Sequence, residues 1–429
     1  MKNKISLFIQ SKETRNAGWL IGGKVLQMLL SLIVGVLTAR YLGPDNYGLI
    51  NYGAAFTTFF VAICNLGLNS VIIKDFIDNP DEQGCAIGSS IVMRIITSIL
   101  SVIMIVSVVS IVDRNESTTI LVVALCSLGL IFNVFEIFNY WFQSLYKSKI
   151  TAIATLIAYI AMSAYKIVLL TLGKDVRWFA FATSVDYIAV ALVLFIAYKK
   201  YGGPKLEFSW HKSKRLLQSS RHYILPSLTV AIYGQTDRLM LKQMLDTAEV
   251  GYYTVATTIC GMWTFVLGAI IDSVYPTIIT LHKHNDEAFA KKNKQLYAII
   301  FYVSSIVSLL ICILGDFAIS ILYGAEYDPA SAPLKIVTWY TAFSYLGVAR
   351  NAWIVSENKQ QYLKYIYFSS AILNVIINFA LIPLWGAVGA ALASLITQIF
   401  TSIVLPCFIK ELRPNAKLML EAIMLKDVF

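Results

Sequence analysis

Apolar runs of twenty or more residues recur along almost the whole chain, each closed by charged residues or by glycine and proline. A helix needs about 20 residues to cross a hydrocarbon core of about 30 Å. By that measure the pattern predicts about twelve transmembrane helices, over residues 17–41, 47–73, 86–112, 118–145, 150–172, 177–198, 221–245, 249–277, 295–322, 332–356, 361–384 and 386–409. The longest polar interval, 199–220, separates the sixth run from the seventh. There Gly202-Gly203-Pro204 breaks the chain, and Phe208, Trp210, Leu216 and Leu217 stand among lysines and arginines. Such a mixture predicts a short amphipathic helix lying on the anionic inner leaflet. The expected organisation is an all-α integral membrane protein. It has a six-helix lobe over 1–198, a basic linker over 199–220, a second six-helix lobe over 221–410 and an amphipathic tail over 411–429.

Composition agrees with the pattern. Hydrophobic residues make up 58% of the 429 and charged residues 14%, with a mean hydropathy of +0.68; soluble domains carry about a quarter charged residues. A water-soluble fold is excluded. The net charge of +10 reflects topology rather than nucleic acid, because about 24 lysines and arginines fall in one set of alternate loops and about four in the other. The rich set includes Lys2, Lys12, Lys74, Lys147, Lys199, Lys214, Arg221, Lys291, Lys359, Lys410 and Lys426, and the poor set is Arg40, Arg114, Lys174 and Arg177. Both termini and the linker are therefore expected on the cytoplasmic side of a multi-pass membrane protein. The first eighteen residues lack the apolar core and cleavage site of a secretory signal and are expected to be retained. The six cysteines, most of them inside apolar runs, read as small hydrophobes, and the four histidines sit in or beside loops. Neither a metal nor a cofactor is expected.

Transporters are commonly built from repeated bundles, so internal echoes matter. Leu42-Gly43-Pro44-Asp45-Asn46-Tyr47-Gly48 after the first span matches Leu245-Asp246-Thr247-Ala248-Glu249-Val250-Gly251 after the seventh in spacing and place. A weaker echo pairs Ala180 to Thr183 with Ala391 to Ser394. Further segments stand in order: Ala39 to Gly48, Thr236 to Leu241 with Glu249 to Tyr253, Leu322 to Tyr327, and Asn374 to Ala391. Together with twelve spans, they resemble the Wzx-type polysaccharide-unit flippases of the multidrug/oligosaccharidyl-lipid/polysaccharide exporter superfamily. The resemblance covers nearly the whole chain. It implies two six-helix lobes around a central cavity that opens alternately inward and outward. It also implies an inner-membrane flippase that carries polyprenyl-pyrophosphate-linked oligosaccharide units to the outer leaflet, for O-antigen, lipopolysaccharide or capsule assembly. A polysaccharide polymerase and a chain-length regulator are candidate partners.

Ionisable side chains at membrane depth are costly and mark functional positions. Lys24, Arg94, Lys166, Arg238 and Arg350 form the basic set, while Lys242 and Lys335 lie near enough to a span end to snorkel. The acidic set is Glu136, Asp186, Asp237 and Asp272. Helical rise puts Lys166 and Asp186 at compatible depths, as a structural ion pair or as part of a binding site. Asp237 and Arg238 lie about 100° apart on one helix, with Arg238 favoured to face the passage. Arginine grips phosphate bidentately and lysine offers a mobile point charge, so the pyrophosphate of the implied cargo singles out Lys24, Arg238 and Arg350. Arg94 fits either this role or an inner-leaflet anchor. Asn51, Tyr52, Asn139, Tyr140, Gln143, Tyr233, Gln235, Asn351 and Asn374 supply groups for sugar hydroxyls, beside Trp141, Trp263 and Trp353.

Two other functions compete. A cation-coupled multidrug exporter of the same fold commonly uses a carboxylate in its first helix, whereas the first span here has Lys24 and no acid; Asp237 or Asp272 is left as the coupling position. A polysaccharide polymerase or ligase needs a sizeable outward loop for its catalytic groups. The outward loops are short, and no nucleophile-base pair or phosphate-cradling glycine loop appears. The expectation is a transporter, not an enzyme.

Overall fold

The structure, a computed structural model, describes residues 12–428, with side chains from Gly22 onward except that of Ser70. Lipid offers a backbone no hydrogen-bond partners, so a crossing segment must satisfy its own N–H and C=O groups, which a helix does. The first helices are α1 (Lys12–Cys64), α2 (Asn69–Asp78), α3 (Gln83–Val112), α4 (Ser117–Ser127), α5 (Gly129–Asn133), α6 (Ile137–Ser144), α7 (Ser148–Thr171) and α8 (Val176–Lys200). They are followed by α9 (Trp210–Met244), α10 (Thr247–Gly261), α11 (Thr264–His282), α12 (Asp286–Tyr323), α13 (Ser331–Ser356), α14 (Leu363–Ile399), α15 (Leu405–Phe408) and α16 (Arg413–Ile423).

Among the described residues, eight continuous helical segments are long and apolar enough to cross a membrane. Two of them are each a pair of helices meeting at a glycine outside helical backbone, α1 at Gly43 (φ 72°) and α14 at Gly386 (φ 55°). Glycine takes that conformation without a Cβ clash, and Pro44 and Pro383 nearby each remove a backbone donor. At Gly386 a Cβ would also collide with the Glu249 carboxylate, which accepts the Ala387 N–H. Ten crossings result. Helices α9 and α13, of 35 and 26 residues, have the length but are more polar; with them the described residues hold twelve helical segments long enough to cross, the number the pattern predicts.

The helices form two compact units, one ending at Ala231 and one beginning at Ile232, so the division falls inside α9. In the first unit, Ile72, Phe76, Ile87, Phe138, Trp141 and Tyr198 make one buried cluster, and Leu42, Ile50, Val122, Leu169 and Phe179 another. In the second, Leu267, Tyr297, Ile300, Leu346, Trp353 and Met419 pack together. Large side chains such as Ile103, Ile313, Phe317 and Phe379 are exposed on the helix exteriors. Water would penalise that surface and lipid does not.

The linker, expected as a short helix, and the amphipathic tail each pack against helices of their own unit. Residues 203–209 carry no helix and are bonded to the first unit: Glu207 N donates to Gly84 O at 3.3 Å, and Ser209 N to Ser89 Oγ at 3.1 Å. Helix then resumes at Trp210 and runs without a break into the crossing. Lys212, buried, holds Nζ 2.7 Å from Glu82 Oε2 and 3.0 Å from Asp75 Oδ2. Burial alone would lower its pKa, but its hydrogen bonds to Glu82 and Asp75 outweigh that and raise it. The same bond holds the Glu82 carboxyl below its ordinary value. The tail helix α16 is docked on α12, because its apolar face meets an apolar partner there. Met419 and Ala422 are buried, Asn415 Nδ2 donates to Tyr297 OH at 2.6 Å, and Lys294 pairs with Glu421.

Candidate functional site

The first unit lines an open cavity of about 680 Å³ between its crossings. Five crossings build it. The arms of α1 supply Lys24 with Gln27 and Thr57 with Thr58; the interrupted fourth crossing, α4 to α6, supplies Asn133, Glu136, Asn139 and Gln143. Thr151, Thr155 and Tyr159 come from α7, and Thr183, Asp186 and Tyr187 from α8. Steps of three and four residues place Lys24 with Gln27, the four polar residues of the fourth crossing, Thr151 to Tyr159, and Thr183 with Asp186 and Tyr187 each on one helix face. The polar faces of five otherwise apolar helices thus converge inside the unit.

The fourth crossing is interrupted where it meets the cavity, passing through a 3₁₀ turn at Val134–Glu136. Gly129 lies against the Tyr187 ring, an approach that a Cβ would block. Arg94 of α3, only 1% exposed, braces the interruption from behind. Its Nη2 donates to Asn133 O and Oδ1, both at 3.3 Å, and to Asn65 Oδ1 in the turn after α1. Arg94 does not line the cavity.

A second space of about 210 Å³ shares Ala54, Tyr159, Thr183 and Asp186 with the first and adds Lys166. Lys166 Nζ lies 2.6 Å from Asp186 Oδ2. Ala152, which contacts Gly23 beside Lys24, is about 6 Å along α7 from its first residue, and Lys166 about 27 Å. Lys24 and the Lys166–Asp186 pair therefore mark opposite ends of a polar furrow. Lys24 reaches the cavity without an ion pair to another described residue.

In the second unit Asp237, 6% exposed, accepts from Asn378 Nδ2 at 2.6 Å, from Ser394 Oγ at 2.6 Å and from Tyr253 OH. Asn374 extends the knot through Asn378. These partners are all uncharged. Arg238, one residue on and only partly buried, is bonded to Gln235, Thr254 and Thr257. Arg350 is 3% exposed and donates to Thr401 O at 3.0 Å, within the π-helical turn Phe400–Val404. A π turn displaces helical hydrogen bonds, and the guanidinium answers the carbonyls there. Asp272 is exposed on α11 and joins none of these groups.

The structure thus gathers Lys24, Glu136, Asp186 and Lys166 along one furrow, sets Asp237 beside Arg238, and puts Arg94 and Arg350 to work inside helix packing. Of the proposed sugar contacts, Asn139 and Gln143 line the larger cavity and Asn51 the smaller. Tyr52 is turned to Asp113 at 2.9 Å, while Trp141 and Trp353 belong to buried cores. Sequence reading missed Gln27, Thr155, Tyr159, Thr183 and Tyr187; their helical spacing from one another was the signal available.

The sequence model of the polysaccharide biosynthesis protein family matches residues 14–282. The chain belongs to that family. It is 21% identical over 424 residues to the "Putative O-antigen transporter" of Escherichia coli (strain K12), covering 95% of this chain and 98% of that one. It is likewise 21% identical over 397 residues to the "Capsular polysaccharide biosynthesis protein CapF" of Staphylococcus aureus, covering 90% and 96%. In fold, this family member is similar to an inward-facing multidrug resistance MATE transporter (TM-score 0.67, 15% identity, 91% and 94% covered). It is also similar to the lipid II flippase MurJ in an inward closed conformation (TM-score 0.63, 16% identity, 96% and 91% covered). Both belong to the two-lobed transporter fold, and this polysaccharide biosynthesis protein is a multi-pass membrane protein of that fold.

Proposed function

We propose that this protein is a flippase that moves polyprenyl-pyrophosphate-linked oligosaccharide units from the cytoplasmic to the outer leaflet of the bacterial inner membrane by alternating access, for surface polysaccharide assembly. The observation that carries the reading is the polar furrow of the first unit: amides, hydroxyls and a lysine without an ion pair among the described residues, at a depth where lipid would penalise each of them. Sugar hydroxyls both donate and accept, as amide and hydroxyl side chains do. Lys24, at the end of the furrow level with the first turns of α7, is the group proposed for the pyrophosphate, with the lipid tail left in the bilayer. The names of the E. coli and S. aureus relatives support the cargo class. The asymmetry of basic loops supports cytoplasmic termini. In this reading the chain makes and breaks no covalent bond, and a polymerase and chain-length regulator are its proposed assembly partners.

Asp237 supports a coupling role within the same reading. Among the described residues Asp237 is a buried carboxylate held by three neutral donors with no ion pair, an uncompensated negative charge that could attract a small coupling cation. That observation also favours the alternative, a cation-coupled drug exporter. Reconstitution separates them: purified protein in vesicles is expected to move a labelled polyprenyl-pyrophosphate oligosaccharide between leaflets, and Lys24→Ala is expected to slow it by about tenfold or more. Export of cationic dyes without any lipid-sugar movement would establish the exporter instead.

A further inference from the structure

Charge bookkeeping along the furrow identifies which saccharides it suits. Lys166 is matched by Asp186 at 2.6 Å. Arg94 stands behind Asn133, close enough to Glu136 to interact electrostatically, yet puts no donor into the cavity. Among the described residues, the charges that line the space are therefore Lys24, Glu136 and the paired Asp186, so Lys24 is the cation there without an ion pair, and Glu136 faces the cavity beside Tyr140. The remaining lining is amide, hydroxyl and tyrosine.

From this we infer, resting on the flippase reading, that the furrow selects uncharged saccharide units built from hexoses and N-acetylhexosamines, and rejects units bearing uronic or other acidic sugars. A volume of about 680 Å³ is within the range that encloses a drug-sized ligand, enough for a few sugar rings. Carboxylates accept hydrogen bonds and donate none, so Glu136 and Asp186 fit the hydroxyls of a neutral ring. An acidic sugar would set its own carboxylate beside that of Glu136, which among the described residues has no ion pair of its own, in a space where like charges repel more strongly than in water. Lys24 does not relieve that repulsion, being engaged by the pyrophosphate. Tyr159 and Tyr187 give the rings aromatic surface that carries no charge. The specificity is negative as much as positive: Glu136 excludes as well as binds.

The test uses the full chain in vesicles and two labelled cargoes, a polyprenyl-pyrophosphate trisaccharide of hexose and N-acetylhexosamine, and the same lipid with a uronic acid as its last sugar. The neutral cargo is expected to flip about tenfold faster or more. Glu136→Gln is expected to lower that ratio at least about fivefold, chiefly by admitting the acidic cargo. Equal rates for the two cargoes with unmodified protein, or a preference for the uronate, would overturn the inference while leaving the flippase reading intact. Movement of neither cargo would overturn both. The comparison on unmodified protein does not depend on the variant folding.

Discussion

Lys166 Nζ and Asp186 Oδ2 lie 2.6 Å apart on neighbouring crossings, α7 and α8, with less than a third of either side chain exposed. An ion pair at such a site costs desolvation on both sides, and its two halves depend on each other. Lys166→Met alone, or Asp186→Leu alone, strands one charge at membrane depth and is expected to destabilise the first unit by about 3 kcal/mol. The double variant is expected to recover most of that loss. Thermal unfolding of the four proteins in one detergent measures the coupling; additive losses would show that the pair is not one unit.

The pair was legible in the sequence because both charges sit inside apolar runs and helical rise gives their depth. The twelve crossings were legible for the same reason, and the polarity of α9 did not hide it, since the long polar interval 199–220 marks its start and the short turn at 245–246 its end. The furrow was only half legible. Glu136, Asn139 and Gln143 stand out, whereas Thr155 and Thr183 are single hydroxyls that bond their own helix as readily as a ligand; Thr155 does so to Thr151 O at 2.8 Å. For Arg94 and Arg350, depth marks a charge as important without saying what it touches. Each answers main-chain carbonyls at a helix irregularity, and composition does not reveal a π turn or a 3₁₀ interruption. The linker and tail were readable as amphipathic, but the surface each apolar face meets was not.

Asp237→Asn keeps the size and most of the hydrogen-bonding shape of the carboxylate, but removes the charge around which Tyr253, Asn378 and Ser394 are arranged. Flipping driven by an imposed proton or sodium gradient is expected to fall by about tenfold or more, while folding yield in detergent is retained. A variant that responds to both gradients as the unmodified protein does would remove Asp237 from the coupling role.

Within the first unit, Lys212 joins Asp75 and Glu82 and holds residues 203–209 against α3. The Glu82 carboxyl titrates below its ordinary value of 4.5, so its contribution is present above pH 4.5 and is lost as pH falls through the depressed value. Lys212 titrates above its ordinary 10.5, so its contribution is present below 10.5 and is lost as pH rises through the raised value. Hydrogen exchange at the Glu207 and Ser209 amides, corrected for intrinsic pH dependence, is expected to be slow between these limits and to quicken beyond either. Lys212→Met is expected to flatten the profile. An unchanged profile would mean that the backbone bonds alone hold the segment.

Arg350 is buried and its Nη1 donates to Thr401 O at 3.0 Å, with Ser402 O at 3.5 Å. Removing the guanidinium leaves buried carbonyls without that donor, a loss of about 1–3 kcal/mol. Arg350→Met is therefore expected to lower the unfolding temperature of the second unit. Arg350→Lys is expected to do nearly the same, because one ammonium on a flexible stem does not reproduce the planar fork. Lipid-sugar movement per folded molecule is expected to stay within about twofold in both variants, since the side chain acts on packing and not on cargo. Loss of transport with an unchanged unfolding temperature would reverse the assignment and return Arg350 to the pyrophosphate path, where sequence alone had placed it.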